Sequence, residues 1–381
     1  MKYYYSVIII GLLFLSCNRE NHGELPEFPV DINQDILLSL SEITEEITVI
    51  EPELTDESLI VDNYRTSILR MIRSENNIIV AMGGIGVHGT VLVFSKDGKF
   101  VRSIGSRGQG PGEHNTLTNV SFDDKNSRLF LLSNGPNKII CYHLDGTFLK
   151  ESLLNQSGWS YGDINYHNNE VFLERFTSDR GNISKKIVYR MNDNLQVTDS
   201  IICWENYFEK SPNSSTRFTD YIIKNGASIY YYPKETYAKW NAPNVKVLRD
   251  TLYRIEDNQL IPELKLQFRN DGFDRYGDKI IDLHNLYRSS RYIFANYNYN
   301  PNNRERNTEP ARWYYFCYDT KTGKGYNMLD GYLDDIHGIE TRVNIRPLNN
   351  DSEYFYYLHT HMNPNDLEEP NPTLYIGKLK K

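Results

Sequence analysis

The chain of 381 residues contains four cysteines, Cys17, Cys141, Cys203 and Cys317, and no CxxC pair. That spacing excludes a zinc ribbon, a thioredoxin-like redox motif and a disulfide framework. No apolar run reaches the roughly 20 residues that a membrane-spanning helix needs. Basic residues are in deficit, with 42 Lys and Arg against 50 Asp and Glu for a net charge of -8. Such a chain gains nothing from phosphate neutralisation, so nucleic acid is not expected as its main partner. No Gly-rich stretch ends in GK[ST] and there is no GxSxG, which removes the phosphate loop and the nucleophile elbow. Gly84-Ile85-Gly86-Val87-His88-Gly89 has the letters GxGxxG, but a β-type run at 91–94 follows where a dinucleotide fold needs a helix. No cofactor is expected. What is plentiful is tyrosine, 29 Tyr against 16 Phe and 4 Trp, within 39% hydrophobic residues; this composition is globular and favours strands.

Residues 1–16 read as a secretory signal: Lys2 at the start, an apolar run at 7–15, then Ser16-Cys17 and the polar Asn18-Arg19-Glu20. Ser16-Cys17 resembles a bacterial lipobox, with Phe14 where the commonest version has Leu. An ordinary signal peptide with a chance cysteine is the alternative. A lipidated Cys17 would be the mature N-terminus and carry several acyl chains, enough for stable anchoring where one chain binds only marginally. Residues 17–35, polar and holding Pro26 and Pro29, read as a tether. The body is then 36–381, and loss of Lys2 with the signal takes the charge from -8 to -9. Cys141, Cys203 and Cys317 read as small buried apolar residues.

An internal repeat sets the expected fold. Runs at 68–72, 78–82, 90–94 and 99–104 are β-type and separated by Asn76-Asn77, a Gly-rich stretch and Asp97-Gly98. Runs at 119–122, 128–132, 138–142 and 147–150 repeat that meander. Its last hairpin recurs around positions 97, 145, 192, 257 and 322, spaced by 48, 47, 65 and 65 residues, close to one four-stranded propeller blade per unit. The leftover runs 353–359 and 373–379, with 46–50 from the other end, could supply a sixth blade shared between the termini, which would hide both sheet edges. The expected class is an all-β six-bladed β-propeller with its ring closed by N- and C-terminal strands. Residues 280–296 have the best claim to a helix, and their Tyr, Ile and Phe content fits strands equally well.

Residues 37–52, the stretch Phe94-Ser95-Lys96-Asp97-Gly98-Lys99-Phe100 leading to Ile104-Gly105-Ser106-Arg107-Gly108-Gln109-Gly110-Pro111-Gly112-Glu113, and Arg249-Asp250-Thr251-Leu252-Tyr253-Arg254-Ile255 carry a resemblance. They are similar to the six-bladed β-propeller lipoproteins of Bacteroidota, related in fold to NHL-repeat proteins. The resemblance implies fold and envelope location, with the outer membrane favoured, and brings no catalytic residues.

Arg107, Gln109, Glu113 and His114 sit together on the Gly-rich connection and are the candidate ligand-binding or inter-blade loop. His359-Thr360-His361 puts two imidazoles on one side of a strand, but a metal site needs three or four ligands and His337 is distant. Asp334 and Asp335 are candidates for Ca²⁺ or, more simply, turn residues. Repeated blade positions show no shared inward polar set of the kind a metal-assisted lactonase or lyase would need. The expected role is therefore a binding module for a peptide, glycan or envelope protein, anchored to a membrane at Cys17, with the propeller-type hydrolase or lyase as the alternative. Cys17→Ala should move the protein from the membrane fraction to the soluble fraction; retention in the membrane would overturn the anchor.

Overall fold

The structure, a computed structural model, describes residues 24–62, 66–84, 87–154, 161–178, 183–207, 222–234, 248–274, 279–300, 311–348, 351–360 and 370–381. Cys17 with the signal segment, and His361, lie outside the described residues. The described chain opens with β1 (Glu27–Val30), a single helical turn α1 (Leu40–Ile43) and β2 (Thr44–Ile50). Four antiparallel strands follow, β3 (Ser67–Arg73), β4 (Asn77–Gly84), β5 (Val87–Ser95) and β6 (Phe100–Ile104). A connection holding the short parallel pair β7 (Ser106–Arg107) and β8 (Glu113–His114) leads to β9 (Thr116–Asp123), β10 (Arg128–Asn134), β11 (Lys138–His143) and β12 (Phe148–Leu153). The next unit is β13 (Tyr161–His167), β14 (Glu170–Ser178), β15 (Ile183–Met191) and β16 (Val197–Tyr207). After it come β17 (Ile222–Asn225), β18 (Ser228–Tyr231), β19 (Thr251–Glu256) and β20 (Gln259–Phe268), then β21 (Ile281–Arg288), β22 (Tyr292–Tyr299), β23 (Arg312–Asp319) and β24 (Lys324–Leu329). A hairpin of β25 (Tyr332–Asp334) and β26 (Ile339–Val343) precedes β27 (Arg346–Leu348), β28 (Asp351–His359) and β29 (Thr373–Leu379).

This is an all-β propeller with four-stranded antiparallel blades. Among the described residues, β3–β6, β9–β12, β13–β16 and β21–β24 are separate four-stranded sheets. A larger sheet runs β1-β20-β19-β18-β17-β28-β29-β2, with β27 on β28. Among the described residues its two arms meet only at the parallel pair Lys224↔Asp351. Burial falls from the first to the last strand of a unit: all eight residues of β9 are buried and none of β12. Continuous apolar sequence suits strands covered on both faces, and the outer strands alternate because one face meets water.

The core lies between neighbouring sheets. Leu69, Ile79 and Val91 pack on Leu117, Leu129 and Leu131; Phe130 and Cys141 pack on Tyr161 and Leu173. Ile50, Tyr356, Leu374 and Ile376 from the closing strands pack on Ile68, Ile78 and Val80, which joins the last sheet to the first. All five repeated hairpins join the third and fourth strands of their units, with Gly98, Gly146 and Gly323 at positive φ. Neighbours grip them: Arg102 donates to the Asp145 carbonyl, and Arg128 pairs with Asp193 at 2.6 Å. Residues 280–296 resolve into β21 and β22, not a helix.

The stretch read as a tether needs correction. Glu27–Val30 pairs in parallel with β20, and Val30 and Ile32 are buried beside Leu266 and Phe268. The unpaired edge of β20 and a run of apolar side chains outweigh the prolines, since Pro29 needs to donate nothing at a sheet edge. Further along, α1 carries a capping box between Ser39 and Glu42 and wedges Leu40 and Ile43 among Phe355, Tyr357, Tyr375 and Leu379. Leu40→Ala should therefore lower unfolding free energy by about 2–5 kcal/mol in urea titration; an unchanged midpoint would mean that this N-terminal segment does not help close the ring.

Candidate functional site

The first strands of successive sheets surround the axis, and their polar residues meet there. Arg70 on β3 is 2% exposed and reaches across to Asp163 on β13, which is fully buried. Arg70 Nη2 donates to Asp163 Oδ1 at 2.8 Å, and Nη1 donates to the carbonyls of Ile164 (2.8 Å) and Val120. Asp163 Oδ1 also accepts from Asn119 Nδ2 (3.0 Å) and from the Ile164 amide (2.8 Å), and Oδ2 accepts from the Ile222 amide (2.8 Å). Four inner strands are thus tied through one carboxylate. A buried pair with its remaining donors and acceptors satisfied is tolerated, whereas removal of one partner costs about 3–5 kcal/mol. Arg70, Asn119 and Asp163 all come from first strands, and they bond to one another and to backbone groups of the neighbouring strands.

A cavity lies on either side of this plug. The larger, about 210 Å³, is lined by the beginnings of β3 and β27 and by one face of the β21–β24 sheet, including Asn285, Asn296, Tyr287, Tyr315, Tyr332 and Arg346. It is bordered by β27, which spans three residues where β3 and β21 span seven and eight. Asn285 and Asn296 are cross-strand partners, and Tyr315 is opposite Asn296 on the next strand, so the three share one face. Asn296 Oδ1 is buried and accepts no hydrogen bond among the described residues. Burial pushes the Tyr315 hydroxyl up to about 12, so it stays a neutral donor. The smaller cavity, about 160 Å³, is lined by Arg70, Ile72, Ser121, Phe122, Asp124, Lys224 and Asp351, where the inner strands finish.

The predicted loop is built differently from a ligand site. Glu113 Oε2 accepts from the Gly110 amide at 2.9 Å, and His114 is buried with Nε2 at 2.9 Å from the Gly89 carbonyl. Lys138 Nζ donates to the Gly110 carbonyl (2.9 Å) and pairs with Glu151 (3.0 Å), which also accepts from the Gly112 amide. Gly105 takes φ +85°, and a Cβ there would sit 2.7 Å from His114 Cε1. His114 therefore ties β8 to β5 and Glu113 fixes the turn of its own loop, while Arg107 and Gln109 are exposed. Asp334 caps its own turn through the amides of Ile336 and His337 and accepts from Tyr357 Oη at 2.8 Å; Asp335 bonds Ser41. Among the described residues no three His, Cys, Asp or Glu side chains converge to hold a metal. Cys141 and Cys317 are buried and Cys203 is half-buried, all as free thiols.

A second buried polar chain lies between other blades. Lys186, fully buried, pairs with Glu174 at 3.2 Å and donates to the Lys234 carbonyl; Tyr231 Oη donates to Glu174 at 2.9 Å. Lys234 Nζ donates to His284 Nδ1 at 2.6 Å. Burial, with Cys203 and Glu174 nearby, holds the Tyr231 hydroxyl well above its ordinary value.

Residues 25–380 match the sequence profile of the family described as a domain of unknown function, DUF4934. The chain belongs to that family. Among solved structures, it is similar to a putative exported protein from Bacteroides fragilis, with a TM-score of 0.62 at 17% identity over 93% of this chain and 99% of that one. A member of the DUF4221 family from Bacteroides vulgatus is matched with a TM-score of 0.47 at 7% identity over 88% and 97%, and BamB from Moraxella catarrhalis with 0.41 at 11% identity over 84% and 100%. No curated protein matches the chain.

In this DUF4934 chain the residues that reasoning from sequence missed, Arg70, Asn119, Asp163, Lys224, Asn285 and Asn296, share a usable signal. Each is a polar residue inside a strand with an apolar or aromatic neighbour on at least one side, and Arg70 and Asn296 have one on both. His114 also has a pH consequence. Burial lowers its pKa, aided by His88 and Lys138, against the opposing hydrogen bond to Gly89. The unfolded chain therefore binds the proton first, and the stability from neutral His114 is present above about pH 6.5 and lost as pH falls below it. His114→Gln should flatten the decline of the urea midpoint between about pH 7.5 and 5.5; an identical slope in both proteins would remove His114 from the pH response.

Proposed function

We propose that this protein is an exported, lipid-anchored binding module, a six-bladed propeller that holds a neutral hydrogen-bonding ligand, a glycan or a peptide segment of a partner, at one end of its channel. Six blades are supported by the four separate sheets plus the two arms of the larger one, β17–β20 and β27–β29 with β2. Export and the envelope setting are supported by the signal-like residues 1–16, by Cys17 and by the likeness to the Bacteroides fragilis structure described as a putative exported protein. The outer membrane is the favoured location.

The observation that carries the binding role is the buried, unpaired Asn296 Oδ1 beside Asn285 and Tyr315 in the larger cavity. A buried acceptor without a partner costs about 1–3 kcal/mol, and a ligand hydroxyl or amide N–H would recover it. The walls carry a single charge, on Arg346 at the rim, so a neutral polar ligand with an apolar side fits better than an ion. Asn296→Leu should leave the melting temperature unchanged or raise it, because it removes the unpaired acceptor. The same change should weaken binding of oligosaccharide or peptide hits from a titration screen at least tenfold, which is about 1.4 kcal/mol. A hit whose affinity ignores Asn296→Leu binds elsewhere and would overturn this seat.

A further inference from the structure

We propose that the smaller cavity, where the inner strands finish, is a second binding site for a small zwitterion that carries an ammonium and a carboxylate on one short frame, such as a free α-amino acid. The parallel pair Lys224↔Asp351 brings one cationic and one anionic side chain to the same cavity from two different blades. They form no ion pair with each other, and Lys224 Nζ makes no hydrogen bond or ion pair among the described residues. One Asp351 oxygen accepts from the Glu353 amide at 3.0 Å. Asp124 adds a second carboxylate at the rim, and Ser121 Oγ is occupied by the Tyr166 amide at 2.7 Å.

The placement of opposite charges selects the ligand, since Asp124 is exposed to solvent and Lys224 and Asp351 are the pair that faces the cavity from two strands. The Arg70 guanidinium forms part of the wall, but its charge is matched by Asp163. The cavity therefore offers the Lys224 amine against the carboxylates of Asp351 and Asp124. A simple anion would meet two carboxylates, and a simple cation would meet the amine. A molecule bearing both signs satisfies both, its carboxylate on Lys224 and its ammonium on Asp351. Burial pushes the Lys224 amine down and the Asp351 carboxyl up, the charge of each opposing the shift of the other, so both charges are held at a cost that an oppositely charged partner would relieve. Ile72 and Phe122 supply an apolar wall for a short side chain. The volume, about 160 Å³, is below the roughly 300–1,000 Å³ of drug-sized pockets, so a polymer has no room.

The test is calorimetric titration and thermal shift of the full chain with each of the common amino acids at about 10 mM, enough to saturate a site of millimolar affinity. N-acetyl-L-alanine, which keeps only the anion, and L-alaninamide, which keeps only the cation, are the paired controls. The expected result is saturable binding of at least one small amino acid, with both single-charge analogues at least tenfold weaker. Lys224→Met and Asp351→Asn should each weaken that binding at least tenfold, and Asn296→Leu should leave it unchanged, which separates this site from the larger cavity. If Lys224→Met melts early, Asp351→Asn and the two analogues still decide. No binding by any amino acid, equal binding of a single-charge analogue, or binding indifferent to Asp351→Asn would overturn the proposal.

Discussion

Everything near the axis depends on how Asp163 is satisfied. First strands of a propeller converge side by side, so any polar group there is far from water and must find partners on other blades. Asp163 does so four times over, through Arg70, Asn119, its neighbour's amide at Ile164 and the Ile222 amide. The consequence is architectural as well as energetic. Because one side chain ties four first strands, the channel is filled in its middle, and what would have been a tunnel becomes two separate cavities.

Those bonds also explain which parts of the fold can be read from sequence. The hairpins at Asp97-Gly98 and Asp145-Gly146 depend on residues two to four positions apart, with positive φ at the glycines, so local turn chemistry is enough to find them and their spacing. The Arg70 bonds join residues 50, 93 and 94 positions apart. No local pattern says that an arginine in Ser67–Arg73 will meet an aspartate in Tyr161–His167; only the ring does. The same limit hid β1, which with Pro26 and Pro29 in a polar setting looks like a linker until the free edge of β20 is placed beside it. The sheet shared by the two ends of the chain was legible in outline because its leftover strands had no other partner.

The Gly-rich connection shows how a distinctive motif can be structural. A Cβ at Gly108 would lie 1.9 Å from Glu113 Oε2, and one at Gly112 would press on the Phe148 ring at 3.0 Å. The glycines are needed so that Glu113 and His114 can fold inward and so that Lys138 and Glu151 can hold the loop carbonyl and amide from the next blade. Arg107 and Gln109 were grouped with Glu113 and His114 because all four lie within eight positions of one another. In three dimensions Arg107 and Gln109 are exposed, Glu113 folds back on its own loop at Gly110, and His114 alone enters the blade contact through the Gly89 carbonyl.

The two cavities differ in chemistry for a reason that lies in the strands that bound them. The larger one is bordered by a three-residue β27, and its wall is the flat face of a neighbouring blade, where cross-strand rows of amides and aromatics carry little charge. The smaller one lies at strand ends, where residues are about to leave the sheet and charged side chains are tolerated because water is near. Lys224 lies near the end of β17 and Asp351 opens β28, and the bridge between the two strands fixes their spacing. A ligand for the first cavity must replace missing hydrogen bonds, and one for the second must balance charge. One propeller axis can thus present two unlike chemistries at its two ends, provided that the plug between them stays intact.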